Sequence, residues 1–431
     1  MGVMPDDETR TPTLGEAPAT TAPPSGRTPP GQRPTGPSPW FLRLVMAGLV
    51  LAALNLRPAI TSLGALLEEV RDGLGMSGSV AGVLTSVPPL CFALFGVMAP
   101  RLARRFGAGA VVCAGMVAIA VGLAVRPFTG GAAGFLAASA LALMGIAVSN
   151  ILMPVIVKRW FPDRVGTMTG LYSMALALGT ALAAAVTVPM TDALSGSWKA
   201  GLALWGVLAA VAVLPWTALV RDRGNAPGQP AAHRRKGPAP RITRSRTAWA
   251  LASFFGLQAT AAYITMGWMP QIFRDAGVSA GTAGLLLAVT MAMGVPLAFV
   301  IPRVASRMRN QGPIAVFLSA CGLVGYAGLY LAPAAGAWVW ALLLGVANCA
   351  FPLALTMIGL RSRTGAGVVR LSAFAQSTGY LISIPGPLLV GVLYQHSGGW
   401  GLPIGLMAAL MLPQMIAGVL AGRDRTIEDE C

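Results

Sequence analysis

The chain has 431 residues, of which 55% are hydrophobic and only 11% are charged. A soluble domain carries about 25% charged residues, so this composition excludes an ordinary soluble enzyme, and the apolar content excludes a disordered scaffold. The formal net charge of +16 would suit a nucleic-acid-binding protein. The basic residues lie in short segments between long apolar runs, however. The composition therefore favours a membrane protein, and nucleic acid is not an expected partner.

The first 41 residues differ from the rest of the chain. Residues 1–39 contain ten prolines and no long apolar run, which predicts a disordered tail over 1–41 without the apolar core of a signal peptide. Twelve apolar runs follow, each of about 20 residues, the length that crosses a bilayer as a helix. The sequence therefore predicts an all-α membrane protein with twelve transmembrane helices. The predicted spans are 42–66, 80–99, 108–126, 134–157, 168–190, 201–220, 247–269, 281–301, 313–333, 337–360, 371–393 and 401–421.

The basic residues indicate how the chain crosses the membrane. When the loops are assigned alternately to the two sides, 26 of the 31 Lys and Arg fall on one side and four on the other. Because cytoplasmic loops carry the excess of Lys and Arg, both termini and the 221–246 loop are predicted to be cytoplasmic. That loop holds eight basic residues and would act as a topological anchor or contact anionic lipid. The predicted organisation is a tail over 1–41, six-helix halves over 42–220 and 247–421, a linker over 221–246 and a cytoplasmic tail over 422–431.

The two predicted halves repeat each other in sequence. Residues 100–105 read Pro-Arg-Leu-Ala-Arg-Arg, and 302–307, 202 residues later, read Pro-Arg-Val-Ala-Ser-Arg. The Asn and Pro at 150 and 154 return at 348 and 352, at an offset of 198. Since six spans separate matching elements, the repeats are parallel, and such halves bind a solute between them near the membrane midplane. The basic residues that follow the second and eighth spans are the predicted gating residues, Arg101, Arg105, Arg303 and Arg307.

Arg57 is the one charged residue deep within a predicted span. It is the only charge between Leu44 and Leu67, and Pro58 follows it directly. An arginine at a helix centre costs about 2.5–3.5 kcal/mol on insertion scales, which is tolerable if it faces a wet cavity and binds a polar or negative group. Backbone carbonyls or a buried acid would also satisfy it, but all 15 carboxylates fall in tails, loops or span ends. Arg57 is therefore predicted to bind an anionic or acceptor-bearing solute.

The spans contain no Asp, Glu or His at depth, which bears on catalysis and on coupling. An enzyme would need a nucleophile with a base, or clustered metal ligands, so we expect no enzymatic activity, metal or cofactor. Proton-driven transporters commonly relay the proton through such a residue, yet His233 and His396 lie in loops. Glu68 or Glu69, near the outer end of span 1, remains a possible relay. Otherwise transport is facilitated, is an exchange, or carries a proton with the solute.

Other polar and aromatic side chains are candidates to line the cavity. In span 11 a residue at every fourth position is polar, so that Ser372, Gln376 and Tyr380 form one stripe on a helix face. Asparagine amides in the spans would bind solute or join helices. The candidate solute-binding residues are Arg57, Thr61, Asn150, Tyr172, Gln258, Tyr263, Asn348, Gln376 and Tyr380, with Thr265 on the face of Gln258 and Trp268 as a further wall.

Four stretches of the chain resemble one transporter family. Residues 54–62 read Leu-Asn-Leu-Arg-Pro-Ala-Ile-Thr-Ser, and 150–154 read Asn-Ile-Leu-Met-Pro and lead to Lys-Arg-Trp-Phe-Pro at 158–162. Gly-Leu-Gln at 256–258 precedes Trp-Met-Pro at 268–270, and 371–380 read Leu-Ser-Ala-Phe-Ala-Gln-Ser-Thr-Gly-Tyr. These stretches are similar to the cyanate permease and 2-nitroimidazole transporter family of the major facilitator superfamily, and the likeness covers most of residues 40–421.

The resemblance implies a fold and a class of function. The implied fold has two parallel six-helix repeats, and the implied protein is a small-solute permease of the bacterial inner membrane that works by alternating access. Cyanate-like anions and nitroimidazole-like heterocycles are the implied solutes, and we expect a monomer to be sufficient. The nearest alternative is a multidrug or metabolite efflux permease of the same superfamily, against which the missing intramembrane carboxylates count for cationic drugs. A solute sensor without transport would need a signalling domain, and the sequence shows none.

Overall fold

The computed structural model describes residues 39–221 and 242–430. The predicted N-terminal tail and most of the basic linker lie outside these residues. Within them the chain is almost entirely helical and has no β-strand. The helices are α1 (Pro39–Asn55), α2 (Pro58–Ala65), α3 (Leu67–Leu74), α4 (Gly78–Phe106), α5 (Ala108–Val125), α6 (Ala132–Trp160), α7 (Val165–Ala193), α8 (Trp198–Arg221), α9 (Arg246–Asp275), α10 (Ala280–Ala292), α11 (Gly294–Arg307), α12 (Gly312–Leu331), α13 (Ala337–Asn348), α14 (Ala350–Leu360), α15 (Gly365–Ser383), α16 (Pro385–Ser397) and α17 (Gly401–Ala421).

The helices account for the twelve predicted spans. In the described ranges, eleven helical segments are long and apolar enough to cross a membrane. Helix α9, with 30 residues, occupies the place of the seventh span but is not among these eleven. The prediction of an all-helical membrane protein with a twelve-helix architecture is confirmed. The residue limits of the two halves and of the linker stay predictions.

Helix α9 is less apolar than the other spans because protein, and not lipid, surrounds it. Of its 30 residues 21 are buried, and they include polar residues in the middle of the helix such as Gln258, Thr260 and Thr265. A helix buried on most of its surface can carry polar side chains where neighbouring helices satisfy them. Helix α9 is thus a central helix of the bundle, which explains why composition alone gives it the weakest membrane signal.

Four spans are broken into two helices. The first breaks at Leu56 and Arg57, and the others break at Met293, Cys349 and Ile384. Proline opens the second helix of two of these spans, at Pro58 and Pro385, because its missing N–H is tolerated at the first helical position. Irregular backbone at membrane depth is tolerated where it is buried in protein or lines a cavity.

Small residues let the two halves approach closely. A side chain at Gly64 of α2 would overlap the backbone carbonyl oxygen of Met266 in α9, and one at Gly82 of α4 would put its Cβ 2.9 Å from the Leu388 carbonyl oxygen in α16. Such glycines are typical of helix contacts in membranes, where close backbone packing replaces the hydrophobic effect as the source of stability. The first half therefore packs tightly on the second along α2, α4, α9 and α16.

Ion pairs join the two halves at the end of the bundle that contains α3, which we call the α3 side. Arg274 of α9 contacts Glu68 and Glu69 of α3, each at 2.9 Å. The neighbouring Asp275 accepts hydrogen bonds from the Tyr394 hydroxyl at 2.9 Å and from the Trp400 indole at 2.8 Å. The α3 side is closed in this conformation.

The opposite end of the bundle carries the predicted gating residues and the end of the chain. Arg101, Arg105, Arg303 and Arg307 are exposed there, and their gating role stays a prediction. The last described residues contact the helix bundle. The Glu430 carboxylate accepts hydrogen bonds from the Ser245 hydroxyl at 2.6 Å and from the Thr247 backbone N–H at 3.0 Å. The C-terminal segment is thereby bound to the start of α9.

Candidate solute-binding site

Arg57 lies at the break between α1 and α2. Pro58 disfavours helical backbone in the residue before it, and Arg57 has φ −120° and ψ −25° as the N-cap of α2. Its backbone carbonyl accepts from the Ile60 N–H at 3.0 Å and the Thr61 N–H at 3.2 Å. The break thus places the Arg57 side chain within the bundle, where the residue is half-buried.

Three tyrosines from three other helices lie near the Arg57 side chain. Tyr172 of α7, Tyr263 of α9 and Tyr380 of α15 all lie close enough to interact electrostatically with it, and Tyr263 is within hydrogen-bonding reach. We call these four residues the Arg57 cluster. Since α1, α2 and α7 belong to the first half and α9 and α15 to the second, both halves contribute to it. Each of the four residues was predicted from the sequence as a candidate solute-binding residue. In the structure the four lie near one another.

Two more candidates are linked to the Arg57 cluster. The Asn150 carboxamide oxygen accepts a short hydrogen bond from the Tyr172 hydroxyl, so α6 joins the site through this pair. The Thr61 hydroxyl donates to the Arg57 backbone carbonyl at 3.3 Å. Thr61 is buried and satisfies its own helix, so it supports the backbone beneath Arg57 and does not offer a free donor.

The remaining amide candidates differ in their contacts. Gln376 donates to the Ser372 hydroxyl at 2.7 Å, so the polar stripe of α15 exists as a bonded pair. The side-chain oxygen of Gln258 and the side-chain nitrogen of Asn348 are buried without a partner in the described structure. Unpartnered buried polar atoms are rare and each asks for an explanation such as water or a ligand. No hydrogen bond between described residues joins either amide to the Arg57 cluster.

Two aromatic candidates have different positions. Tyr380 stacks on Phe92 of α4 with ring centroids 5.0 Å apart, which anchors it beside Arg57 and across the two halves. Trp268 is fully buried and donates to the Thr85 hydroxyl at 3.2 Å. It packs against Trp400 on the α3 side. Trp268 therefore packs within the α3 side in this structure, and its role as a wall of the solute cavity stays a prediction.

The positive charge of Arg57 is not balanced by a carboxylate among the described residues. In residues 39–221 and 242–430 no carboxylate forms an ion pair with Arg57. Glu68 and Glu69, the nearest acids along the chain, are held by Arg274 on the α3 side. A guanidinium offers five N–H donors in a planar fork, a geometry that matches planar oxyanions and other acceptors. The Arg57 cluster thus places a guanidinium and three tyrosine hydroxyls, of which that of Tyr172 already donates to Asn150, at the contact between the halves.

Sequence reasoning missed a second buried cation. Arg126 is the last residue of the predicted span 108–126 and counts among the four basic residues on the side of the membrane with few of them. In the structure its exposed fraction is 1%, and it caps α5 near the end of the apolar segment Ala108–Phe128. One guanidinium nitrogen donates to the Ala59 carbonyl at 3.0 Å, and another lies 3.4 Å from the Ser62 hydroxyl oxygen. Only a short, mostly apolar stretch separates Arg126 from α6. In the sequence, this stretch is the one indication that the connection between the two helices is buried.

Comparison with known proteins identifies the family. The family model described as the Major Facilitator Superfamily matches residues 45–369. Three curated relatives are similar to this chain over most of their length. They are the uncharacterized transporter YycB of Bacillus subtilis (35% identical, 89% of this chain and 94% of the relative), the 2-nitroimidazole transporter of Escherichia coli (33%, 89% and 96%) and the cyanate transport protein CynX of Escherichia coli (31%, 82% and 90%).

Solved structures share the fold at low identity. A bacterial homologue of the lysosomal transporter Spinster, in an inward-facing and occupied conformation, matches with a TM-score of 0.71 at 15% identity and covers 90% of this chain and 97% of its own. A D-xylose–proton symporter matches with a TM-score of 0.68 at 14% identity, covering 91% and 100%. The family match, the named relatives and the helical architecture agree. The chain belongs to the major facilitator superfamily and is a multi-pass membrane transporter of small molecules, not an enzyme.

Proposed function

We propose that this transporter moves a small anionic or polar planar solute by alternating access, with Arg57 as the central anchor. The observation that carries the proposal is a guanidinium without a carboxylate partner among the described residues, with Tyr172, Tyr263 and Tyr380 from both halves near it. A solute bound to Arg57 would contact both halves at once. Its release or binding would then be coupled to their rocking.

The chemistry of the site supports a planar acceptor as the solute. A guanidinium and tyrosine hydroxyls donate hydrogen bonds, and the flat tyrosine rings can flank a flat solute. Cyanate is a small anion with acceptors at both ends, and a nitroimidazole is a flat heterocycle with nitro oxygens as acceptors. Relatives that are 31% and 33% identical are named for transport of these two solutes, which supports the same solute class here.

An exporter of cationic drugs is disfavoured by electrostatics. A cation near Arg57 would meet an uncompensated positive charge, and like charges inside a protein repel strongly because the effective dielectric constant is low. A metabolite exporter of the same superfamily that moves neutral or anionic solutes fits the same site. The chemistry of the site is therefore compatible with import and with export.

The membrane placement follows from the distribution of charge. We infer that the protein lies in the bacterial inner membrane with both termini in the cytoplasm, because 26 of its 31 basic residues fall in segments on one side. The α3 side would then face outward and Arg101, Arg105, Arg303 and Arg307 would face the cytoplasm. One chain contains both halves of the site, so a monomer would be sufficient, and nucleic acid has no part in the proposal.

Uptake into proteoliposomes tests the solute class. Wild-type protein is reconstituted, and entry of labelled cyanate and of labelled 2-nitroimidazole is compared with entry into protein-free liposomes, with and without an imposed pH gradient. We expect saturable uptake of at least one solute, with competition from the other. Stimulation by an inward proton gradient would indicate that a proton accompanies the solute. If both solutes enter proteoliposomes, and leave preloaded ones, at the rate of protein-free liposomes, the proposed solutes are contradicted.

A further inference from the structure

A small cavity lies between Arg57 and the α3 side, at the contact between the two halves. Its walls come from α2, α4 and α6 of the first half and from α9 of the second, and its volume is about 10 Å³. That is room for about one water-sized species. Tyr263, which reaches Arg57, also lines this cavity. The cavity therefore adjoins the Arg57 cluster at Tyr263.

Two buried polar groups at this cavity have no hydrogen-bond partner. The Arg126 Nε and the Ser139 hydroxyl are both shielded from solvent and unpartnered in the described structure, and both residues line the cavity. Arg126 and Ser139 are each 1% exposed. A buried donor left unpaired costs about 1–3 kcal/mol, and more for a charged group. Two such donors at one cavity mark it as a place where a hydrogen-bond acceptor binds.

The charge of Arg126 narrows the chemistry of that acceptor. Its other guanidinium contacts are the Ala59 carbonyl, the Ser62 hydroxyl and the ring of Phe135, at 5.7 Å from the ring centroid. None of these groups carries a negative charge, and Arg126 makes no ion pair with a carboxylate within the described ranges. An arginine stays protonated in proteins, so the full charge remains to be neutralised. A water molecule would satisfy a donor but would leave that charge.

We propose that Arg126, with the Ser139 hydroxyl, forms a second binding position for a small monovalent anion, separate from Arg57. The proposal rests on the proposed function for its class of anion. In this closed conformation the cavity is small, and it lies between the halves, so separation of α9 from α2 and α4 would enlarge it. The occupant is either the transported anion on its way to Arg57 or a chloride ion from the medium. Two positions along α2, one at its N-cap Arg57 and one beside its later residues, would give an anion successive sites within the bundle.

The test measures anion stabilisation of purified protein in detergent, by thermal unfolding in chloride, cyanate or gluconate at constant ionic strength. Gluconate is too large for the cavity and serves as the reference. Arg57→Gln removes the first position, so a saturable rise in melting temperature that remains in this variant reports the second. We expect this remaining rise to disappear in the double variant Arg57→Gln/Arg126→Gln. In Arg57→Gln/Ser139→Ala it should require about tenfold more anion.

Ser319→Ala in the same Arg57→Gln background is the matched control, because Ser319 is also a buried serine with an unpartnered hydroxyl but lies in α12. It should leave the anion concentration unchanged. A rise with cyanate alone assigns the position to the transport path, and a rise with chloride as well assigns it to an ion of the medium. A rise that survives loss of Arg126, or an Arg57→Gln protein with no rise, would overturn the second position. The latter result leaves wild-type uptake, and so the proposed function, unaffected.

Discussion

At the scale of single residues, the central feature is a positive charge held by tyrosines. Placing an arginine at membrane depth costs about 2.5–3.5 kcal/mol on insertion scales, and in the described residues no acid offsets this cost at Arg57. Tyr263 is buried and within hydrogen-bonding reach of the guanidinium. A tyrosine hydroxyl can accept from Arg57 and donate to a bound solute at once. We therefore expect Tyr263 to orient Arg57 and to offer the solute a further contact.

Removal of this hydroxyl tests that role. In Tyr263→Phe the ring and its packing remain, but one hydrogen bond to a charged group is lost, so we expect the KM for uptake to rise about tenfold. The measurement is initial uptake rate against solute concentration in proteoliposomes. Tyr326→Phe is the control, because Tyr326 is likewise buried but its hydroxyl pairs with Thr265. A KM for Tyr263→Phe equal to that of the control would remove Tyr263 from the site.

At the scale of elements, the C-terminal segment is a short strap on the end of α9. Burial opposes ionisation of Glu430, but hydrogen bonds from Ser245 and Thr247 outweigh it and lower the pKa of the carboxyl below its usual value. Ile427, which lies between α17 and Glu430 along the chain, is fully buried. The segment is therefore bound by charged acceptors and one apolar anchor, at the end of the bundle opposite α3.

The lowered pKa makes this strap sensitive to acid. Since the folded-state pKa lies below the unfolded value of about 4.3, the stabilisation is present above that pH and is lost as the pH falls through the folded pKa. We expect wild type to melt at a higher temperature than Glu430→Gln at pH 6, and the difference to shrink as the pH falls below about 4.3. Asp192→Asn, at an exposed acid, should match wild type throughout. A difference that keeps its full size from pH 6 down to pH 3 would refute an ionic origin.

The elements also show which features follow from sequence. Long apolar runs predict where helices cross, and the breaks at Pro58 and Pro385 follow from proline's missing donor. The burial of Arg126 could not be predicted from loop counting, because a charge at the end of a run can point outward or fold back. The meeting of Tyr172, Tyr263 and Tyr380 depends on how three distant helices pack. Sequence therefore supplied the candidates, and only the tertiary contacts select among them.

At the scale of the whole molecule, the α3 side holds the halves together through charge. Arg274 binds Glu68 and Glu69 across the contact, and the Gln271 amide bridges to Glu68 at 3.4 Å and to Asp275 at 2.7 Å. A half-buried pair of this kind is broken at greater cost than an exposed one because water screens it less. This cluster favours the conformation in which the α3 side is closed.

Loss of Arg274 should therefore shift the molecule toward an open α3 side. The measurement is the distance between spin labels at Asp72 and Ser397, exposed positions on the two halves, in protein whose native cysteines are replaced by serine. In Arg274→Gln we expect a larger share of long distances than in the parent. Glu68→Gln/Glu69→Gln should act alike. Arg363→Gln breaks an exposed pair with Asp429 within the second half and should change nothing. Identical distributions for Arg274→Gln and its parent would contradict a closing role.

In the proposed mechanism, transport by the whole molecule depends on Arg57 as the anchor of the solute. The most direct measurement is uptake of the solute that wild type transports, by Arg57→Gln beside Arg43→Gln, with reconstitution of equal amounts of monodisperse protein. Arg43 lies on the same first span but at its exposed end. We predict that Arg57→Gln takes up solute at the rate of protein-free liposomes, whereas Arg43→Gln keeps the wild-type rate. Uptake by Arg57→Gln with the wild-type rate and KM would show that Arg57 is a structural residue and would contradict the account.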